Sequence, residues 1–271
     1  MEEPVVLYAT DGPIANITMN RPKYRNAQSY PLLDALDAAF NRAVADNEVK
    51  VIVLRGAGGN FSSGHDLGTP EQVAFRQERQ IPAEGIGFYE NFRHYNYDIT
   101  LAWRNLPKPT IAMVEGYCIF GGWMIACAMD LVFAAEEALF LPALLEYYSV
   151  PWDLGARKTK ELLFEMRFLS ATEAHDLGFV NRVYAAGDLE AQTKAYALRV
   201  SENSHAALRM SKLATNKIQD IQGYTASVEG AFADYLVMMN SRGTGRAAGN
   251  ERRLEGVDLA LKGLRGDRPG L

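Results

Sequence analysis

The chain has 271 residues, 48% hydrophobic and 23% charged, with a formal net charge of −5. Its length and apolar content suffice for one large packed domain, with or without an extension. The acidic balance, with no basic tract or arm, argues against a nucleic-acid partner, and no uncharged run approaches the roughly 18 residues of a membrane span.

The opening residues, MEEPVVLYATDG, are acidic and carry no apolar leader core. No signal peptide is expected, and the cytoplasm is the expected compartment. VVLYAT and IANITMN are β-rich runs split by the turn signal Asp11-Gly12-Pro13, which predicts a hairpin. Leu32, Leu33, Leu36, Phe40, Ala43 and Val44 recur at helical spacing, with Asp34, Asp37 and Arg42 on the other face. VKVIVLRG predicts a buried strand that ends in the glycine-rich loop GAGGNFSSGHDLG. Thr69-Pro70-Glu71-Gln72 has the form of a capping box with proline at the first helical position. The segment from Gly68 to Leu106 is rich in aromatics: Phe88, Tyr89, Phe92, Tyr95, Tyr97 and Trp103.

TIAMVEG predicts a second strand leading into Ile119–Asp130, IFGGWMIACAMD, where paired glycines precede an apolar, helix-like run. DLVFAAEEALF predicts another strand and its turn. Beyond about Asp153 the pattern turns almost wholly helical, with a second capping box at Ser170–Glu173 and clear periodicity in HAALRMSKLATNKI. The tail, SRGTGRAAGNERRLEGVDLALKGLRGDRPG, is polar and glycine-rich. Strands alternating with helices imply βαβ units and parallel strands, hence an α/β core over residues 1–200 and a helical region over 201–271. Cys118 and Cys127 lack the companions of a disulfide framework or the His and Cys neighbours of a metal site. They read as buried thiols in a reducing compartment, and no metal is expected.

The glycines admit two readings, tight turns or close approach of a ligand to backbone. A helix start leaves about four backbone N–H groups unpaired and carries partial positive charge. Gly121 and Gly122, without β-carbons, would let a carbonyl oxygen reach it. One such donor stabilises an oxyanion by about 2.7–4 kcal/mol. A second donor is expected from SSGHDL, with Gly64 making the turn and the His65 N–H pointing inward.

NRPKYRNA (Asn20–Ala27), NFSSGHDL (Asn60–Leu67), KPTIAMVEGYCIFGG (Lys108–Gly122) and FLSATEAHDLGFVNRVY (Phe168–Tyr184), followed by a helical tail, resemble the enoyl-CoA hydratase/isomerase, or crotonase, superfamily in order and spacing. The resemblance implies a crotonase-like ββα superhelix, or spiral, with a helical C-terminal trimerisation region, assembling as a homotrimer or a dimer of trimers. It implies an acyl-CoA substrate, with CoA entering as part of that substrate and no separate cofactor. By position it also implies a thioester enolate held by the backbone N–H groups of His65 and Gly121. Arg21, Lys23 and Arg25 suit the CoA phosphates or are solvated surface charges, and Lys108 is a weaker candidate. Asp66, Leu67 and Gly122 flank the two donors and are expected to line the substrate.

The chain departs from the family where hydratases keep two glutamates. The first position holds Met124; the second, on direct counting from Phe140, holds Leu144. Both side chains then line the acyl group without supplying an acid. Glu146 and Asp153 lie nearby as substitute acids or as a surface acid and a helix cap, and the His65 imidazole either reaches the site or contributes only its backbone. The aromatic segment after Gly68 covers the acyl pocket in the family, or forms ordinary core helices. Three readings stay open: an enoyl-CoA hydratase-like lyase, a family member that hydrolyses CoA esters or cleaves C–C bonds, and a catalytically weak acyl-CoA binder.

Overall fold

A computed structural model describes residues 3–142, 144–240 and 245–266. The chain opens with the expected hairpin, β1 (Val6–Asp11) and β2 (Ile14–Met19), antiparallel with Val6 opposite Met19. Helix α1 (Tyr30–Ala45) starts where the Ser29 hydroxyl accepts from the Leu32 N–H. It buries Leu32, Leu33, Leu36, Phe40 and Ala43 of the stripe read from the sequence, and Ala39 besides, while Val44 is only partly buried. Each large aliphatic or aromatic side chain so buried contributes roughly 1.5–3 kcal/mol. β3 (Val51–Gly56) follows, then α2 (Pro70–Glu78), α3 (Gly85–Arg93) and α4 (Ile99–Arg104), with one widened π turn at His94–Asp98 between the last two.

Next come β4 (Thr110–Val114), β5 (Tyr117–Ile119), α5 (Gly121–Ala128), β6 (Leu131–Ala135) and β7 (Leu139–Leu141). A short 3₁₀ turn, Leu145–Tyr147, precedes α6 (Val150–Leu154) and α7 (Ala156–Glu165). β8 (Leu169–Ser170), α8 (Ala171–Asp176) and β9 (Arg182–Tyr184) lead to α9 (Ala186–Ser201), α10 (His205–Ile221), α11 (Tyr224–Asn240) and α12 (Gly245–Leu264). The two strands after Asp153 correct the almost wholly helical reading of that region. They are two and three residues long, too short to leave a period.

The main sheet has the order β1-β2-β3-β4-β6-β9 and is parallel except for β1. A second sheet, β5-β7-β8, is fed by the chain as it leaves β4 and β6. The path from main strand to second-sheet strand to helix is clearest at β4, β5 and α5. Single parallel bridges between Ser62 and Cys118 and between Gln28 and His65 extend the layer that β5 begins. Residues from three successive turns therefore meet on one side, the geometry a site needs.

One apolar cluster fills the space between the main sheet and α1, α4, α5 and α11. A smaller one joins the opposite sheet face to α9 through Leu189 and Ala197, and a third joins Ile119, Phe120, Leu141 and Phe168 to Ala260 of α12. Among the described residues no helix is long and apolar enough to cross a membrane.

Candidate active site

A cleft of about 1040 Å³ opens where β5, the start of α5 and the loop after β3 meet. Lys23, Tyr24, Arg25, His65, Asp66 and Leu67 line it together with Ile119, Phe120, Phe168, Val257, Leu261 and Arg265. The loop carrying His65 is locked against α5. At Gly64, φ is +91°, and an added β-carbon would lie 2.8 Å from the Ile119 carbonyl oxygen and 3.3 Å from the Gly121 nitrogen. Only glycine satisfies both the sign of φ and that approach.

Gly121 opens α5, so its N–H has no acceptor within the helix. A β-carbon there would stand 2.6 Å from Gln28 Oε1 and 3.0 Å from His65 Cε1, and one on Gly122 would stand 2.7 Å from the Ser62 carbonyl oxygen. The paired glycines thus serve close packing of three turns as well as access to backbone. Phe120, just before them, has φ 45° and ψ −102°, a strained setting of order 1–3 kcal/mol. Its N–H donates to the Leu141 carbonyl at 3.0 Å, and its ring packs with Phe168 and Leu141, which hold it there.

Glu146 lies in the 3₁₀ turn and is 1% exposed. Its Oε1 stands 4.0 Å from Nε2 of His65, a cleft residue whose side chain is 11% exposed. His65 therefore touches both the start of α5 and Glu146, while Gly121 and Glu146 themselves lie outside the cleft lining, and the surface-acid reading of Glu146 is excluded. Asp153 does not join them. It sits in α6 and accepts from the Ser149 hydroxyl at 2.9 Å. Burial pushes its carboxyl up to about 7, with Ser149 and the nearby Trp123 indole pulling it back down.

Among the cations, Lys23 and Arg25 line the cleft. Arg21 does not: it is 6% exposed, and its guanidinium donates to the Ala27 carbonyl at 2.6 Å, to Asp66 at 2.9 Å and to Thr69 at 2.9 Å. It is a clip inside the loop and not an open phosphate contact, a correction whose reason is the buried Asp66 carboxylate. Burial alone would raise the Asp66 pKa, but hydrogen bonds from Thr69, Gly68 and Arg21 win and hold it below the ordinary value. Lys108 is likewise turned inward, donating to the Ala43 and Asp46 carbonyls at the end of α1.

Gly122 and Met124 are buried in α5, Met124 within the main core. Leu144 is half-buried and bridges the main cluster to the one beneath α12. The remaining histidines lie elsewhere: His94 against Tyr95, His175 exposed beside Asp176, and His205 at the Asn47 carbonyl. The aromatic segment is partly core, with Trp103 donating to Asp37 and Tyr95 to Asp34. Tyr97 faces Tyr147 next to Glu146, at 6.2 Å between rings. Cys118 and Cys127 are free thiols, pushed up by burial.

Sequence reasoning missed Gln28, Phe120, Phe168, the α12 residues Val257 and Leu261, and Arg265 just beyond that helix. Gln28 follows the RNA step and carried no acid–base signal; α12 lay hidden in a glycine-rich tail.

The enoyl-CoA hydratase/isomerase family profile matches residues 9–231. A Mycobacterium tuberculosis protein, EchA13, whose name assigns it provisionally to the enoyl-CoA hydratases, is 36% identical over 94% of this chain and 86% of its own. A Mycobacterium smegmatis crystal structure, titled a probable enoyl-CoA hydratase, is 42% identical, covers 84% of this chain and 91% of its own, and superposes with a TM-score of 0.76. An enoyl-CoA hydratase/isomerase structure from Xanthobacter autotrophicus Py2 is 29% identical and covers 98% of this chain and 99% of its own, with a TM-score of 0.81. The chain belongs to the enoyl-CoA hydratase/isomerase, or crotonase, superfamily, and has its fold.

Proposed function

We propose that this protein binds an acyl-CoA thioester in the cleft and stabilises its enolate with the backbone N–H groups of His65 and Gly121. The observation that carries the reading is the contact between the two loops, so close that a β-carbon on Gly64 would lie 2.8 Å from the Ile119 carbonyl oxygen and 3.3 Å from the Gly121 nitrogen. Two donors on one rigid corner, one at a helix start, suit a carbonyl oxygen that gains charge in the transition state. Lys23, Arg25 and Arg265 give the cleft cations for CoA phosphates, which enter with the substrate. No separate cofactor is invoked.

Met124 and Leu144 supply no acid where family hydratases carry glutamates. General acid–base help is typically worth about 10²–10⁴-fold, so hydration of short straight-chain enoyl-CoA is expected to be slow or absent. Chemistry at the α-carbon needs only the enolate and one proton-transfer group, and fits the residues better. The working form we propose is a cytoplasmic homotrimer or dimer of trimers.

The test is a pair of ligands titrated by calorimetry: an acyl-CoA thioester and the S-alkyl-CoA thioether, which lacks the carbonyl. The thioester should bind more tightly, because the ether offers the two N–H groups no acceptor. Equal affinity would remove the support for a carbonyl site. Release of free CoA from the thioester would move the assignment to hydrolysis in the same cleft.

A further inference from the structure

We infer that His65, which lines this cleft, and the buried Glu146 beside it form a paired acid–base: the imidazole exchanges a proton with the α-carbon of the thioester, and the carboxylate holds the imidazolium. The inference rests on the acyl-CoA reading above and names the group that reading leaves open.

Three observations carry it. His65 is among the residues that line the cleft, and its ring Cε1 stands 3.0 Å from where a β-carbon on Gly121 would be, at the helix start that would hold the thioester oxygen. Glu146 Oε1 lies 4.0 Å behind the ring, at Nε2. Glu146 is 1% exposed, in a turn fixed by α11 and bordered by Tyr147, which is itself buried and accepts from the Tyr224 hydroxyl at 3.2 Å. An imidazolium at that distance is attracted to the Glu146 carboxylate. Low local polarity strengthens their attraction. The neighbouring Asp66 does not compete for the ring, since its carboxylate is taken by Arg21 and Thr69.

The step balances within the site. The neutral imidazole takes the α-proton, and the C–H electron pair moves onto the thioester oxygen as an enolate. The imidazolium then returns its proton to the α-carbon or, in an unsaturated chain, to the γ-carbon. Neutral imidazole is regenerated without water or oxidant. One such pair suffices for a 1,3-proton shift, and the expected substrate class is a β,γ-unsaturated acyl thioester. Hydration needs a second group to deliver water.

The first measurement needs no substrate. The His65 ring is titrated by NMR in the free protein, its signal assigned with His65→Gln. Glu146→Gln should lower the pKa by about one unit or more, because the favourable carboxylate is gone. The second follows loss of the α-protons of butyryl-CoA in deuterium oxide. The wild-type protein should exchange them, and His65→Gln and Glu146→Gln should do so about 10²-fold more slowly or worse. Free imidazole should partly restore His65→Ala, which no structural role predicts. Glu146 is buried, so if its variant fails to fold, that rescue decides. Wild type that prefers the thioester but shows no exchange, or variants as fast as wild type, would overturn the pair and leave the cleft reading intact. Wild type that neither prefers the thioester nor exchanges would remove both.

Discussion

Met124 occupies the position where a family hydratase carries its first glutamate, and it is 2% exposed inside the main core. Met124→Glu would bury an unpaired carboxylate at a cost of several kcal/mol, or force it to stay protonated. We expect a lower melting temperature and no gain in crotonyl-CoA hydration, since Leu144 offers no partner. A stable variant that hydrates crotonyl-CoA would contradict this. Asp153 gives a second prediction at this scale. Its carboxyl, ordinarily at 3.8, is raised to about 7 in the folded chain. Between those values the folded state keeps a proton that the unfolded state has lost, so stability falls as pH rises through that window and levels off above it. The slope is at most about 1.4 kcal/mol per pH unit. Asp66 works the other way, but its contribution is fully present above its ordinary value of 3.8 and is lost only at lower pH. Urea melts of Asp153→Asn at several pH values should show a flatter dependence and a gain near pH 8; curves parallel to wild type would refute it. Sequence placed Glu146 and Asp153 as equals, because both follow the same strand. Only the turn at Leu145–Tyr147 separates them, aiming one at His65 while α6 carries the other away.

At the scale of elements, the hairpin, α1 and the buried parallel strands were legible, because their hydrophobic periods are long enough to declare themselves. The two capping boxes were legible only in half. Thr69 and Ser170 do accept from the N–H groups of Gln72 and Glu173. The return arms go elsewhere: Gln72 Oε1 accepts from the Tyr30 N–H, and Glu173 takes Arg167. Local pattern cannot reveal a partner as far along the chain as Tyr30 is from Gln72, and the Arg21–Asp66–Thr69 clip stayed hidden for the same reason. Replacing Arg21 by Met leaves Asp66 buried without its cation, at a cost of roughly 3–5 kcal/mol. Denaturant unfolding should show that loss, along with weaker acyl-CoA binding as the His65 loop loosens. Gly64→Ala should weaken binding even where the protein stays folded, since the β-carbon pushes the loop off Gly121. Unchanged affinity in both would detach the loop from the site.

Across the whole molecule, α12 closes the cleft through Val257 and Leu261, and the outer faces of α7, α10 and α11 leave Phe164, Met210, Ile218, Ile221 and Val237 exposed. We expect these exposed apolar residues to be covered by copies of the chain. Light scattering should give about 90 or 180 kDa, for three or six chains of 30.0 kDa. A stable monomer at micromolar concentration would refute that. The spiral itself was visible in the order of the motifs, whereas the way three turns meet at Gln28, His65 and Gly121 needed the fold. The central claim concerns that meeting point, and a crystal structure with a bound acyl-CoA tests it most directly. The account predicts the thioester oxygen about 2.7–3.1 Å from the backbone nitrogens of both His65 and Gly121; an acyl-CoA seated with its carbonyl turned away from both would contradict it.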